Sequence, residues 1–85
     1  MLPSQKTVFI VNPRAGNGAA EAKWRAMSRL AEEQLGSFTT CFTERAGDAT
    51  RLTREHLTVG ADLIVGVGGD GTLNEIINGF MGTSL

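Results

Sequence analysis

A single cysteine, Cys41, rules out an internal disulfide; its apolar surroundings read as a small buried thiol, compatible with a reducing compartment. The lone histidine, His56, has no second histidine or cysteine cluster near it, so it reads as a partly exposed helical side chain and not as a metal ligand. No segment approaches the ~20 apolar residues of a membrane span. The run Val8 to Val11 is also too short for a signal-peptide core of ~7–15 residues. Eight Lys and Arg against nine Asp and Glu leave a net charge of −1. That balance gives neither the basic stripe wanted by nucleic acid nor a polybasic membrane anchor. Repeats, linkers and low-complexity tracts are missing too. The expectation is a cytoplasmic protein with no nucleic-acid partner.

Eighty-five residues make one small domain at most. A chain of this length buries only about 60–65% of its unfolded surface. What it has in excess is glycine, eleven in all, gathered at Gly16 and Gly18 and again from Gly66 to Gly71. Such clustering marks loops, not a flexible linker.

Thr7 to Val11 is a β-branched, nearly continuous apolar run, which suits a strand covered on both faces and hence a parallel sheet. Asn12-Pro13 ends it, because proline brings no N–H to a ladder. After a loop with two glycines, Ala20, Trp24, Met27, Leu30, Ala31 and Leu35 recur at helical steps, predicting a helix over 19–35 with these residues in the core. Gly36 is its stop. Phe38 to Thr43 reads as a second, less apolar strand at an edge. Asp48 is the expected N-cap of a second helix whose inner face is Ala49, Leu52, His56 and Val59, with Gly60 as its end. Asp62 to Val67 is a third strand. Leu73 to Phe80 is a third helix burying Leu73, Ile76, Ile77 and Phe80.

Alternation of this kind predicts an α/β fold: a three-layer βαβαβα arrangement on a parallel sheet of strand order 2-1-3 with right-handed crossovers. The order reverses between strands 1 and 3, and a crevice opens there at the carboxyl ends of the strands. Both glycine-bearing loops, Asn12 to Gly18 and Gly68 to Glu75, leave from those ends and should face each other. Glycines at 68, 69 and 71 would let an anion approach the main chain, and the third helix adds the positive end of its dipole. Thr72 offers a hydroxyl at the helix entrance, while Arg14 and Arg45 are candidates for explicit positive charge. Phosphate is the expected ligand chemistry.

Two familiar glycine motifs fit poorly. Gly66 to Gly71 satisfies G-x-G-x-x-G, but the dinucleotide fingerprint serves a first strand and wants an acid ~20 residues later. An aspartate among the glycines, Asp70, would also repel a pyrophosphate. The P-loop needs lysine where Thr72 follows Gly71.

Gly68-Gly69-Asp70-Gly71-Thr72-Leu73-Asn74-Glu75 resembles the hallmark of the diacylglycerol kinase catalytic family, which includes sphingosine and ceramide kinases and, more remotely, NAD kinases. Val11 to Gly18 resembles that family's first-strand loop, and Thr43 to Ala49 its second-strand exit. The three motifs in order cover essentially the whole chain. The resemblance implies the N-terminal part of an NAD kinase/diacylglycerol kinase-like domain over 1–85, with the family's second, β-rich domain absent. It also implies ATP contacts at Asn12, Pro13, Arg14, Ala15, Gly16, Thr43, Gly68, Gly69, Asp70, Gly71, Thr72, Leu73, Asn74 and Glu75. Asp70 would be catalytic, through a metal-bound water or by handling the substrate hydroxyl proton. No metal ligand is assigned within this chain; Mg2+ ligands are expected mainly in the missing region. Asn17 stands where a basic residue is frequent. The implied activity is transfer of the ATP γ-phosphate to a lipid hydroxyl, of diacylglycerol or a related lipid at a membrane surface, by the full-length protein. This chain alone would be inactive, and its exposed strand edge should invite self-association. An NAD kinase and a non-catalytic nucleotide-binding module remain as alternatives, with a Rossmann dehydrogenase further off.

Overall fold

All five residues of β1 (Thr7–Val11) are buried, as a strand flanked by two others and covered on both faces requires. The computed structural model describes residues 6–81. Around β1 lie α1 (Ala19–Leu35), β2 (Thr39–Phe42), α2 (Asp48–Thr58), β3 (Leu63–Val67) and α3 (Asp70–Met81), in that chain order. The sheet is parallel, of order β2-β1-β3. Ile10 pairs with Cys41 on one side and Gly66 on the other, so the three strands end level at Val11, Phe42 and Val67.

Side chains alternate across β1 and divide the core in two. Phe9 and Val11 join Val67 and Trp24 of α1 on one face. Phe9 also meets Trp24 and Phe38 at centroid separations of 4.9 Å each. Val8 and Ile10 join Ala49 of α2 and Ile76 of α3 on the other face. Ile10 and Val11 are fully buried, each side chain contributing about 1.5–3 kcal/mol of hydrophobic stabilisation.

The helices bury less than their apolar periodicity predicts. In α1 only Ala20 and Trp24 are buried; Met27, Leu30 and Leu35 are 42%, 57% and 49% exposed. In α3 the buried residues are Thr72, Ile76 and Gly79, while Leu73, Ile77 and Phe80 of the expected inner face are exposed. The reason is close packing: Gly79 lies so near α2 that a Cβ there would stand 2.6 Å from the Thr53 Cβ. This approach turns Thr72, Ile76 and Gly79 of α3 inward and leaves Leu73, Ile77 and Phe80 outward. In α2, Thr53 is fully buried, its hydroxyl donating to the Ala49 carbonyl at 2.7 Å, while the expected inner residue Val59 is exposed. Cys41 is half-buried, not enclosed, and its Sγ lies 3.2 Å from Nε2 of His56.

Two helix starts also differ. The third helix starts at Asp70, three residues before its apolar stripe, because the Gly69 carbonyl already accepts the Leu73 amide at 3.2 Å. Gly47, at φ 91°, is the N-cap of α2, so Asp48 lies inside the first turn and makes no cap of its own helix.

Candidate functional site

Because the three strands end level, their exits meet at one edge of the sheet. After β1, the Asn12 amide donates to the Val67 carbonyl at 2.9 Å and extends the ladder by one residue. The Asn12 Oδ1 then accepts the Arg14 amide at 3.1 Å, and its carbonyl accepts the Ala15 amide at 3.2 Å. This Asx-type turn sets Arg14 and Ala15 at the mouth. After β2, the Thr43 amide donates to the Val11 carbonyl at 2.9 Å. Asp48 Oδ2 accepts the amides of Glu44 and Arg45 at 2.8 and 3.1 Å, which folds the loop back on the start of α2. After β3 the chain turns through Gly68 and Gly69 directly into α3.

Between these exits lies a cleft of about 460 Å³, within the usual size of ligand sites. Arg14 and Arg45 bring positive charge to it; Glu44 and Glu75 bring negative charge. One oxygen of Glu75 is already engaged: Oε1 accepts the amides of Gly47 at 3.1 Å and Ala49 at 3.2 Å.

Of the residues expected at the site, Asn12, Arg14, Ala15, Gly16, Thr43, Gly69, Gly71, Thr72 and Glu75 line this one cleft. Pro13 does not. Gly68 lines two neighbouring hollows instead, and a Cβ on it would run into the side chain of Thr72. Asp70, Leu73 and Asn74 line another hollow of about 380 Å³ with Ile77 and with Gly71, which the two spaces share, and Asp70 also borders a smaller hollow with Gly68, Gly69 and Thr72. Positions 70, 73, 74 and 77 share one face of α3, and 71 and 75 share another. Asp70 does not line the cleft with Arg14 and Arg45, but the hollows it lines adjoin that cleft through Gly69, Gly71 and Thr72.

The diacylglycerol kinase catalytic domain model matches residues 6–85. The chain belongs to that family. Human sphingosine kinase 1 is 36% identical over 78 residues, covering 89% of this chain and 20% of its own length. The Bacillus subtilis diacylglycerol kinase is 36% identical over 71 residues, covering 84% and 23%. A solved Bacillus anthracis protein described as a diacylglycerol kinase superposes with a TM-score of 0.78 at 33% identity, covering 88% of this chain and 27% of that one. The chain thus spans about a fifth to a quarter of the length of these relatives.

Within this diacylglycerol kinase-type chain, the glycines of the family motif have different reasons to be glycine. Gly68 is required by Thr72 packed beneath it. Gly69 and Gly71 are not required by anything among the described residues. A Cβ at either position would meet no atom within 4 Å, and neither has a left-handed φ. Both border the cleft.

Glu44, Ala46 and Ala49 also line the cleft, although their side chains carry no phosphate signal in the sequence. The cues are their place in the Thr43 to Ala49 segment that resembles the family's second-strand exit and their position at the end of β2, level with the other two loops. Asp48 has its carboxyl held below the usual range, first by the Glu44 amide and further by the Arg45 amide and the Arg51 guanidinium. Burial, with the charge of Glu55 behind it, pushes the Cys41 thiol up, so it stays protonated. Among the described residues, no three His, Cys, Asp or Glu side chains converge on a metal-sized site. Nor is any described helix long and apolar enough to cross a membrane.

Proposed function

We propose that this chain is the ATP-binding part of a lipid kinase, which transfers the γ-phosphate of ATP to the hydroxyl of diacylglycerol or a related lipid. The observation that carries the reading is the pair of bare glycines, Gly69 and Gly71. A helical glycine costs about 0.5–1 kcal/mol relative to alanine, and no described neighbour asks for it at 71. A ligand lying against the main chain does. Phosphate oxygens fit this role, since the first-turn amides of α3 have no intrahelical acceptors and sit at the positive end of the helix dipole. Arg14 and Arg45 face the same space and supply full charges.

ATP supplies the transferable phosphoryl group. The chain's own residues would hold its phosphates, and Asp70, at the start of α3, would act near the transferred phosphate, through a metal-bound water or by handling the proton of an attacking hydroxyl. Mg2+ ligands are expected mainly in the rest of the full-length protein. Phosphoryl transfer needs positioning and charge stabilisation together, and this chain alone is therefore proposed to be inactive. The full-length kinase would work from the cytoplasm, at the membrane surface where its lipid substrate lies. The β3 edge, with Leu63 exposed, and the exposed Leu73 and Ile77 of α3 support self-association of this chain by itself.

Titration of the isotope-labelled chain with ATP, followed by amide resonances, tests the site. Shifts should centre on Arg14 to Gly16, Arg45 and Gly69 to Thr72. Saturable shifts elsewhere, with these resonances unmoved, would overturn the reading. Phosphorylation of NAD, and of no lipid, by the complete protein would replace the lipid substrate with a dinucleotide.

A further inference from the structure

The first turn of α2 carries no cap of its own. Its N-cap residue is Gly47, in the left-handed region and without a side chain to offer. The leading amides of a helix need acceptors from outside it. Here the acceptor comes from another helix: Glu75 Oε1 takes the amides of Gly47 and Ala49. The Glu75 carbonyl accepts the Thr50 hydroxyl at 2.7 Å. Further along, Gly79 lies against Thr53, and Arg54 Nη2 donates to the Asn78 carbonyl at 3.4 Å. The two helices are fastened along their length, and Glu75 is the fastening nearest the cleft.

We infer that Glu75 is a positioning residue: by capping α2 from α3, it fixes the loop that carries Arg45 opposite Gly69 and Gly71, and it is not a ligand of phosphate or metal. The inference rests on the nucleotide reading above. It has a corollary for where an anion can sit. The start of α2 is already neutralised by the carboxylates of Glu75 and Asp48, whereas the start of α3 faces the cleft through bare glycine. Phosphate therefore belongs on the α3 side, with Arg45 reaching across from a loop whose main chain is held by two acids.

The test compares Glu75→Gln with Glu75→Ala in the chain, by amide hydrogen exchange and by ATP titration with Mg2+ and with EDTA. Glutamine keeps an acceptor oxygen and drops the charge. E75Q should retain slow exchange at Gly47 and Ala49 and bind ATP as wild type does under both conditions. E75A should lose protection at those two amides and bind ATP roughly three- to tenfold more weakly, the scale of a lost cap. Arg45→Ala should then weaken binding less in the E75A background than in wild type, because the capped loop is what aims Arg45. Equal loss in E75Q and E75A with both amides still protected would overturn the inference, since the carboxylate itself would be contacting ligand or metal. Unchanged exchange in E75A would overturn it as well. A wild-type chain that binds no ATP would instead overturn the nucleotide reading, and the exchange comparison would still decide whether Glu75 caps α2.

Discussion

Replacing Gly71 by alanine should make the protein more stable and its phosphate site worse. The position lies in the first turn of α3, outside the left-handed region, and a methyl group there would meet no atom within 4 Å. Alanine is favoured over glycine in a helix by about 0.5–1 kcal/mol, and the lower end applies near a terminus. For a domain of this size about 1 kcal/mol shifts Tm by roughly 4–8 °C, so Gly71→Ala should raise Tm by about 2–4 °C. The same methyl is added at a residue that lines the cleft, where, on the proposed reading, phosphate lies against the α3 amides. Loss of one hydrogen bond to a charged oxygen costs about 1.5–3 kcal/mol, which corresponds to about ten- to hundredfold weaker ATP binding. Circular dichroism melts give the first quantity and calorimetric titration the second. A raised Tm with unchanged ATP affinity would refute the claim that phosphate lies against this turn. A lowered Tm would refute the claim that the space above Gly71 is open.

Three further outcomes are expected. Asp70→Asn in the complete protein should leave folding and ATP binding intact while sharply reducing turnover with lipid; unchanged turnover would remove Asp70 from the chemistry. The lowered carboxyl pKa of Asp48 stabilises the fold above the unfolded value of about 3.9, and that contribution is lost as pH falls through the folded value. Asp48→Asn should therefore flatten the decline of Tm on acidification below about pH 4, and an identical acid profile would show that the carboxylate does not secure the Glu44 and Arg45 amides. Ile77→Lys, on the exposed stripe of α3, should reduce self-association of this chain in sedimentation velocity without lowering Tm; unaltered association would place the contact elsewhere.

The alternation of strand and helix, the 2-1-3 strand order and the convergence of the loops are legible in the sequence because each follows from local cues. The unbroken run Thr7 to Val11 demands a central strand, and Asn12-Pro13 and the glycines after Val67 mark where it and its neighbour end. Helix faces are less legible. Periodicity places Leu73 and Ile77 inward, but the near contact of Gly79 with Thr53 sets the rotation of α3, and a contact between residues 26 positions apart leaves no local trace. The start of α3 is hidden for a related reason. Hydrophobic spacing begins at Leu73, whereas the hydrogen bond that opens the helix runs from Leu73 back to Gly69.

The same distinction governs the site itself. In the sequence, Gly68, Gly69 and Gly71 are alike, and Asp48 and Glu75 are both acids in a first turn or close behind one. In three dimensions they separate by whether the protein already accounts for them. Thr72 accounts for Gly68, the amides of Glu44 and Arg45 account for Asp48, and those of Gly47 and Ala49 account for Glu75. Among the described residues, nothing accounts for Gly69 and Gly71, and both border the cleft. A helical glycine that costs stability and serves no described neighbour is what the proposed nucleotide reading explains, by setting a phosphate against the start of α3.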